Sequence, residues 1–223
     1  MLLSGGPESD TLDEAKQAVT MALDRATAIV AVGGGICWIA AWIYRSTLPR
    51  GCVGDECLSR PMRGNTALGV TLQIVAAIMI LAAGIGLVIH IQRRGQLGRL
   101  GVAGVCSCVV GVALLVAAGF VPATIFGRGI DAVPFFVIPG VALVAIGALL
   151  VAVVVIRSRV LPRWAGYSLL ICAGMLLLAN EQTAAVLFAV PFGIAWILVG
   201  AALWRDRNAA SAFQSASPGV GGR

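Results

Sequence analysis

Charged and aromatic residues are scarce in this sequence. Of its 223 residues, 12% are charged, 6% are aromatic and one is a histidine, His90. Soluble domains contain about 25% charged residues and about 45–50% apolar residues. Here 59% of the residues are hydrophobic, which is more apolar surface than a soluble chain of this size could bury. The composition therefore excludes a soluble enzyme, a disordered protein and a secreted disulfide scaffold.

The apolar residues occur in six long runs, each near the roughly 20 residues that a helix needs to cross a bilayer. The runs lack the alternation of strands, and a helical bundle satisfies every backbone group inside the membrane. The sequence thus predicts an all-α, polytopic membrane helical bundle, with a tight turn at Asn180–Gln182. The six predicted transmembrane helices cover residues 27–44, 67–91, 100–121, 135–156, 164–180 and 183–204.

Polar segments flank this six-span domain, which comprises residues 27–204. In the N-terminal segment, residues 1–26, Thr11 and Glu14 have the spacing of a capping box. They predict a short amphipathic helix on the membrane surface, or else a solvated extension of the first span. The residues before Thr11 do not have the basic and apolar stretches of a signal peptide, and we expect them to be flexible. The C-terminal segment, residues 205–223, is predicted to be a disordered cytoplasmic tail.

Basic residues predict the orientation. With the N-terminus in the cytoplasm, eleven basic residues lie inside and five lie outside. The inside set is Lys16, Arg25, Arg93, Arg94, Arg99, Arg157, Arg159, Arg163, Arg205, Arg207 and Arg223, and the outside set is Arg45, Arg50, Arg60, Arg63 and Arg128. Because inner loops carry the excess of basic residues, both termini are predicted to be cytoplasmic, in the cell (inner or plasma) membrane.

Charge and composition also indicate the kind of partner. The inner arginine loops would contact the lipid bilayer through anionic headgroups. A second membrane protein or a second copy of the chain is a further candidate partner. Nucleic acid is not expected, because no basic patch is interleaved with aromatic residues on a soluble surface.

One inner loop has a recognisable sequence. The segment Arg157–Gly166 reads RSRVLPRWAG and precedes a span rich in glycine and leucine. It resembles the inner loop of uncharacterised multi-pass membrane proteins of high-GC, actinobacterial-type bacteria. The resemblance covers a short part of the chain and implies a bacterial inner membrane, without implying an activity.

Two of the six cysteines, Cys52 and Cys57, lie in a polar loop that the predicted topology places outside, where disulfides persist. Gly51 and Gly54 would allow a tight reversal that brings the two cysteines within bonding distance. We predict a structural disulfide, with a redox-active disulfide or unpaired thiols as alternatives. The spacing differs from the C-x-x-C redox motif. The other four cysteines lie in apolar runs and are predicted to act as small packing residues.

Polar residues within the spans are few. The permease hypothesis would use Thr71, Gln73 and Ser168 as cavity-lining residues; the simpler interpretation is a hydrogen bond to a carbonyl of the same or a neighbouring helix. We predict no catalytic residue, no cofactor and no metal site, because no second histidine or carboxylate is spaced with His90 as metal ligands are. His90 itself is expected to lie at the membrane interface beside Arg93.

Glycine is abundant, with 28 residues. Small residues let membrane helices approach closely, so the glycines within the spans predict helix contacts. The alternative is a hinge or broken helix near Gly33–Gly35. The spaced pairs that favour packing are Gly140 with Gly147 and Gly193 with Gly200.

Three functions are compatible with this sequence. The first is a non-enzymatic integral membrane protein that acts by interaction, by structure or by contact with lipid. The second is a small permease for a neutral or apolar solute, which requires a cavity open to one face. The third is a membrane thiol-disulfide oxidoreductase that uses Cys52 and Cys57. An enzymatic role is not expected from the residues alone.

Overall fold

The computed structural model describes residues 7–52, 59, 63–64, 66–94, 99–120 and 133–215, and every regular element in these ranges is a helix. Each α-helix follows one of the long apolar runs of the sequence. The elements are α1 (Pro7–Thr47), α2 (Ala67–Arg93), α3 (Arg99–Phe120), α4 (Val133–Ser158), α5 (Arg163–Leu176), a 3₁₀ helix (Ala184–Ala189) and α6 (Val190–Ser215). The prediction of an all-α fold is confirmed for this part of the chain.

Within the part of the chain that the structure describes, five helical segments are long and apolar enough to cross a membrane. They are Lys16–Thr47, Ala67–Arg93, Arg99–Ala118, Phe135–Ser158 and Ala184–Asp206. The predicted spans 67–91, 100–121 and 135–156 agree with α2, α3 and α4 to within one helical turn. The segments indicate a membrane-embedded protein, as the composition predicted.

The fifth predicted span, residues 164–180, is shorter in the structure. Helix α5 has 14 residues and is therefore about 21 Å long, which is less than the hydrocarbon thickness. The first residues of the sixth predicted span form the 3₁₀ helix instead of continuing α6. Pro191 explains this, because an α-helix through Ala184–Ala189 would place a proline in the helix interior, where its ring clashes with a carbonyl.

The first and last helices are longer than predicted. Helix α1 continues without a break from Pro7 to Thr47, so residues 7–26 form an extension of the first span, the alternative that the sequence left open, and Thr11 lies inside this helix. Helix α6 continues past Trp204 to Ser215, whereas the sequence predicted a disordered tail from residue 205. Apart from Pro7 at the first position of α1, where proline is tolerated, both extensions lack glycine and proline and contain several alanines, which favours the continuation of a helix.

Helices α1 and α6 form one antiparallel pair, and α3 and α4 form another. Helix α1 packs against α6 and α2, α3 packs against α4, and α5 contacts α4, α6 and the 3₁₀ helix. The largest fully buried side chains come from α2, α4, α5, the 3₁₀ helix and α6: Leu87, Ile91, Val155, Leu169, Val186 and Val199. The 3₁₀ helix is fixed to α1 by the Trp38 indole, whose Nε1 donates to the Ala189 carbonyl at 2.8 Å.

The two ends of the bundle differ in charge. At the end where Asp24, His90 and Asp206 meet, the arginines whose side chains are described are Arg25, Arg93, Arg94, Arg99, Arg157, Arg159, Arg163 and Arg205. We call this the arginine-rich end. The opposite end holds residues 49–52, Arg63 and residues 180–183, and we call it the loop end.

Glycines form the contact surfaces of both antiparallel pairs. In the α1–α6 pair, a Cβ atom on Gly35 would lie 2.5 Å from the Gly193 carbonyl oxygen. In the α3–α4 pair, a Cβ atom on Gly147 would lie 2.5 Å from the Gly104 carbonyl oxygen. Both distances are shorter than any van der Waals contact, so the backbones approach to a distance that only glycine allows. The predicted packing role is confirmed for Gly147 and Gly193.

Candidate functional site at the arginine-rich end

A buried polar cluster joins three helices at the arginine-rich end. The His90 side chain on α2 is 9% exposed, and its Nδ1 lies 3.0 Å from a carboxylate oxygen of Asp24 on α1. On the other side of the ring, Nε2 lies 3.8 Å from a carboxylate oxygen of Asp206 on α6 and has no hydrogen-bond partner among the described residues. Arg94 donates to the same Asp206 oxygen at 2.6 Å.

The local sequence explains why the acidic side chains face the inside of the bundle while the neighbouring arginines face the outside. Each acid has an arginine as its neighbour in the chain, Asp24 with Arg25 on α1 and Asp206 with Arg205 on α6. Successive residues of a helix point about 100° apart. The two carboxylates therefore face α2 and His90, while Arg25 and Arg205 are exposed on the outside of the bundle.

The cluster connects three helices through the His90 ring, which contacts the Asp24 carboxylate on α1 at 3.0 Å and lies 3.8 Å from the Asp206 carboxylate on α6. Within the described residues, no group of three metal-binding side chains is arranged to hold an ion. His90 is thus an interior residue of the bundle, whereas the sequence had suggested an interfacial one beside Arg93.

Replacing His90 with phenylalanine should destabilise the bundle by about 1–3 kcal/mol, because the Asp24 carboxylate loses a polar partner while the ring volume is retained. The measurement is thermal unfolding of the purified protein in one detergent. Arg93→Gln is the matched control, since Arg93 is exposed on the same helix. Equal melting temperatures for the two variants would show that the cluster does not stabilise the fold.

The structure does not bring the predicted cavity-lining residues together. Thr71 lies near the loop end of α2 and donates to the Ala67 carbonyl at 2.9 Å. Ser168 lies in α5 near the arginine-rich end and donates to the Ala165 carbonyl, also at 2.9 Å. Gln73 lies on α2, close to Thr71. The hydroxyl groups are therefore used within their own helices, as the simpler interpretation predicted.

The cysteines separate into two groups. Cys37, Cys106, Cys108 and Cys172 are free thiols. Cys52 is not among them and is 2% exposed at the loop end. Its predicted partner Cys57 lies outside the described residues, so the pairing of the two remains a prediction. The backbone beside Cys52 is well fixed, because Gly51 N–H donates to the Gln182 carbonyl at 3.1 Å.

Two buried arginines organise the loop end. Arg63 donates from Nε to the Pro49 carbonyl at 3.0 Å and from a terminal nitrogen to the Glu181 carbonyl at 2.7 Å. Its own N–H donates to the side-chain carbonyl of Gln182 at 2.8 Å. Arg45 forms an ion pair with the Glu181 carboxylate at 2.5 Å. These bonds attach the loop after α1 to the predicted turn, which is observed at Glu181–Gln182.

The electrostatics of the loop end follow from its burial. Removal from water lowers the pKa of the Arg63 guanidinium, and the charges of Arg45 and Arg50 lower it further, while the Glu181 carboxylate opposes them. Arginine remains protonated in proteins despite such shifts. Arg63 therefore stays a cation that the surrounding carbonyls must accommodate.

Sequence reasoning missed both polar clusters. Asp24, His90 and Asp206 each lie next to the end of an apolar run at the arginine-rich end of the bundle, and this shared position was the available signal. Comparison with known proteins gives no family model, no curated protein and no solved structure that matches this chain. Function is therefore argued from the charges, grooves and surfaces of the structure.

Proposed function

We propose that this protein is a non-enzymatic integral membrane protein that acts by interaction or structure, in contact with lipid at its arginine-rich end. The observation that carries the proposal is a belt of exposed apolar side chains next to a ring of exposed arginines. The belt includes Ile78, Val110, Ile138, Ile171 and Ile194. Such apolar area is stable in hydrocarbon and not in water, and exposed arginines pair with anionic headgroups.

The two ends support the predicted orientation. The eight arginines named above at the arginine-rich end are exposed, whereas at the loop end Arg45 and Arg63 are buried and Arg50 is exposed. Exposed aromatic residues, Trp164, Tyr167 and Trp204, accompany the exposed arginines, as is usual at a membrane interface. We place the arginine-rich end in the cytoplasm, in a bacterial inner membrane as the resemblance of the Arg157–Gly166 loop implies.

We also propose six crossings of the membrane. Helix α4 ends at the arginine-rich end and α6 begins at the loop end, so the segment between them passes from one end to the other. Glu181 supports this path, because its contacts with Arg45 and Arg63 lie at the loop end. Helix α5 covers part of the distance, and the less regular residues 177–183 and the 3₁₀ helix cover the rest.

The experiment that tests the function uses proteoliposomes. Vesicles with and without the protein are exposed to a glycerol gradient in a stopped-flow instrument, and their reswelling rates are compared. Equal rates are expected from a protein that does not transport neutral solutes. Protein-dependent reswelling would replace the proposal with the permease hypothesis. Recovery of the protein in the soluble fraction without detergent would remove both functions, because neither exists outside a membrane.

The Cys52–Cys57 disulfide belongs to this proposal as a structural link in the loop end. Its support is the burial of Cys52 beside a backbone fixed by Gln182. Cys52→Ser should lower the free energy of unfolding by about 2 kcal/mol, the value of a short closed loop. Thermal unfolding measures the loss, and Cys106→Ser is the control because Cys106 is an exposed free thiol.

Two outcomes would contradict the disulfide proposal. Alkylation of Cys52 and Cys57 in the non-reduced protein, read by mass spectrometry, would show that the bond does not form. A quinone-dependent turnover of thiols that disappears in Cys52→Ser would show that the bond is redox-active, and would favour the oxidoreductase hypothesis.

A further inference from the structure

An open groove runs along the outside of the α1–α6 pair toward the arginine-rich end. It begins near Val32 at the centre of the pair and ends at Arg205. Its other lining residues are Ala28, Ile29, Gly200, Ala201 and Trp204. The lining is apolar along the whole length except at Arg205, so one end of the groove suits a hydrocarbon chain and the other suits a charge.

The depth of the groove comes from Gly200. A Cβ atom at this position would lie 2.8 Å from the Ala28 carbonyl oxygen and 2.7 Å from a methyl group of Val32. The two backbones therefore form the floor of the groove. The side chains of Ile29 and Trp204, which are 53% and 38% exposed, stand beside this floor.

The charge at the mouth of the groove is positive. The Arg25 guanidinium lies 5.7 Å from the centroid of the Trp204 ring, which lines the groove, and Arg205 is itself a lining residue. Asp24 and Asp206 do not neutralise these two arginines, because both acids face His90 and α2. The groove therefore has one arginine in its lining, Arg205 on α6, and a second arginine, Arg25 on α1, beside its lining residue Trp204.

We infer that this groove binds one anionic phospholipid, with its phosphate between Arg25 and Arg205 and one acyl chain along the groove toward Val32. The inference rests on the proposed function, which places this end in a membrane leaflet. Basic pockets between membrane helices on the cytoplasmic side bind anionic headgroups, and an interfacial tryptophan lies at the same depth. A zwitterionic lipid has no net charge to match the two arginines.

Native mass spectrometry of the full-length protein in a neutral detergent tests this site. The two probes are phosphatidylglycerol and phosphatidylcholine with identical acyl chains. Phosphatidylglycerol is expected to bind the wild-type protein more tightly. The double variant Arg25→Gln/Arg205→Gln should weaken phosphatidylglycerol binding roughly 30-fold, which corresponds to about 2 kcal/mol for two cations near the surface.

The matched control removes two exposed arginines from the same end but from other helices. Arg157→Gln/Arg163→Gln has the same net charge as the first double variant and lies on α4 and α5, away from the groove. It should retain the preference for phosphatidylglycerol. Equal losses in the two double variants would overturn the inference, because they would show attraction to the whole arginine-rich end and not to one site.

A second variant tests the groove without changing charge. Ala201 is exposed and lines the groove, so Ala201→Phe fills the groove and leaves the core intact. It should weaken the binding of phosphatidylglycerol, and unchanged binding would contradict the position of the acyl chain. If the wild-type protein bound both lipids equally, the site would be rejected while the proposed membrane role would stand. Failure of the membrane role would instead be seen as protein that stays soluble without detergent.

Discussion

Replacing Gly35 with alanine is expected to lower the free energy of unfolding by about 1–3 kcal/mol, the usual penalty of overpacking a tight contact. The added methyl carbon would lie 2.5 Å from the Gly193 carbonyl oxygen and 2.8 Å from Cγ1 of Ile197. The carbonyl belongs to the helical backbone of α6 and cannot turn aside. Helices α1 and α6 would therefore have to separate along their contact. Thermal unfolding in detergent measures the loss.

The control for this variant is Gly174→Ala in α5. No atom lies within 4 Å of the position that the Gly174 Cβ would occupy. An alanine there should stabilise the helix by about 0.5–1 kcal/mol, because glycine loses more backbone entropy than alanine on folding. The two substitutions make the same chemical change and should have opposite signs. A shift in the same direction would show that α1 and α6 are not held at the observed distance.

Removal of the Arg63 side chain should destabilise the protein by roughly 3 kcal/mol, since each of its two side-chain hydrogen bonds to a carbonyl contributes about 1.5–3 kcal/mol. In Arg63→Ala the carbonyls of Pro49 and Glu181 lose this donor. The loop after α1 would then detach from the turn before the 3₁₀ helix. Thermal unfolding together with proteolysis of this loop measures the effect.

Two further variants separate geometry from charge at this position. Arg63→Lys keeps the charge but cannot direct donors to two carbonyls at once, so it should retain only part of the stability. Arg50→Ala removes an exposed arginine from the same loop and should change the stability little. If Arg50→Ala and Arg63→Ala had equal effects, the loss would come from net charge and the bonds of Arg63 would not be its cause.

The helices that the sequence predicted best are those with clear local boundaries. Helix α2 begins after Thr66, whose hydroxyl accepts a hydrogen bond from Gly69 N–H, and ends at a pair of arginines. Helix α3 begins at Arg99. Such polar residues mark the ends of apolar runs in any fold, so α2, α3 and α4 were placed to within a turn.

The predicted ends of α1 and α6 differ from the structure because polar residues were taken as evidence against a helix. The polar residues near the start of α1 and after Trp204 in α6 suggested a separate surface helix and a disordered tail. Both stretches have strong helix formers and no breaker, and they continue the neighbouring spans. The short length of α5 was missed for the opposite reason, because residues 177–179 are apolar although they lie beyond the helix.

The buried polar clusters could not be predicted from local pattern. Arg94 and Asp206 are 112 residues apart in the chain, and Arg45 and Glu181 are 136 residues apart. The sequence shows only that each of these residues lies near the end of an apolar run. Which ends meet depends on the packing of α1 between α2 and α6 and on the passage of α5 to the loop end.

The sequence by itself determined the class of this protein, because the length and apolar character of a helix are properties of consecutive residues. It also determined where small residues would allow close contact. Only the tertiary structure decided that His90 lies between Asp24 and Asp206 and that Arg63 is buried, because these contacts join distant segments. The physical reason is that hydrophobicity acts along each helix, whereas hydrogen bonds and ion pairs require specific partners that folding brings together.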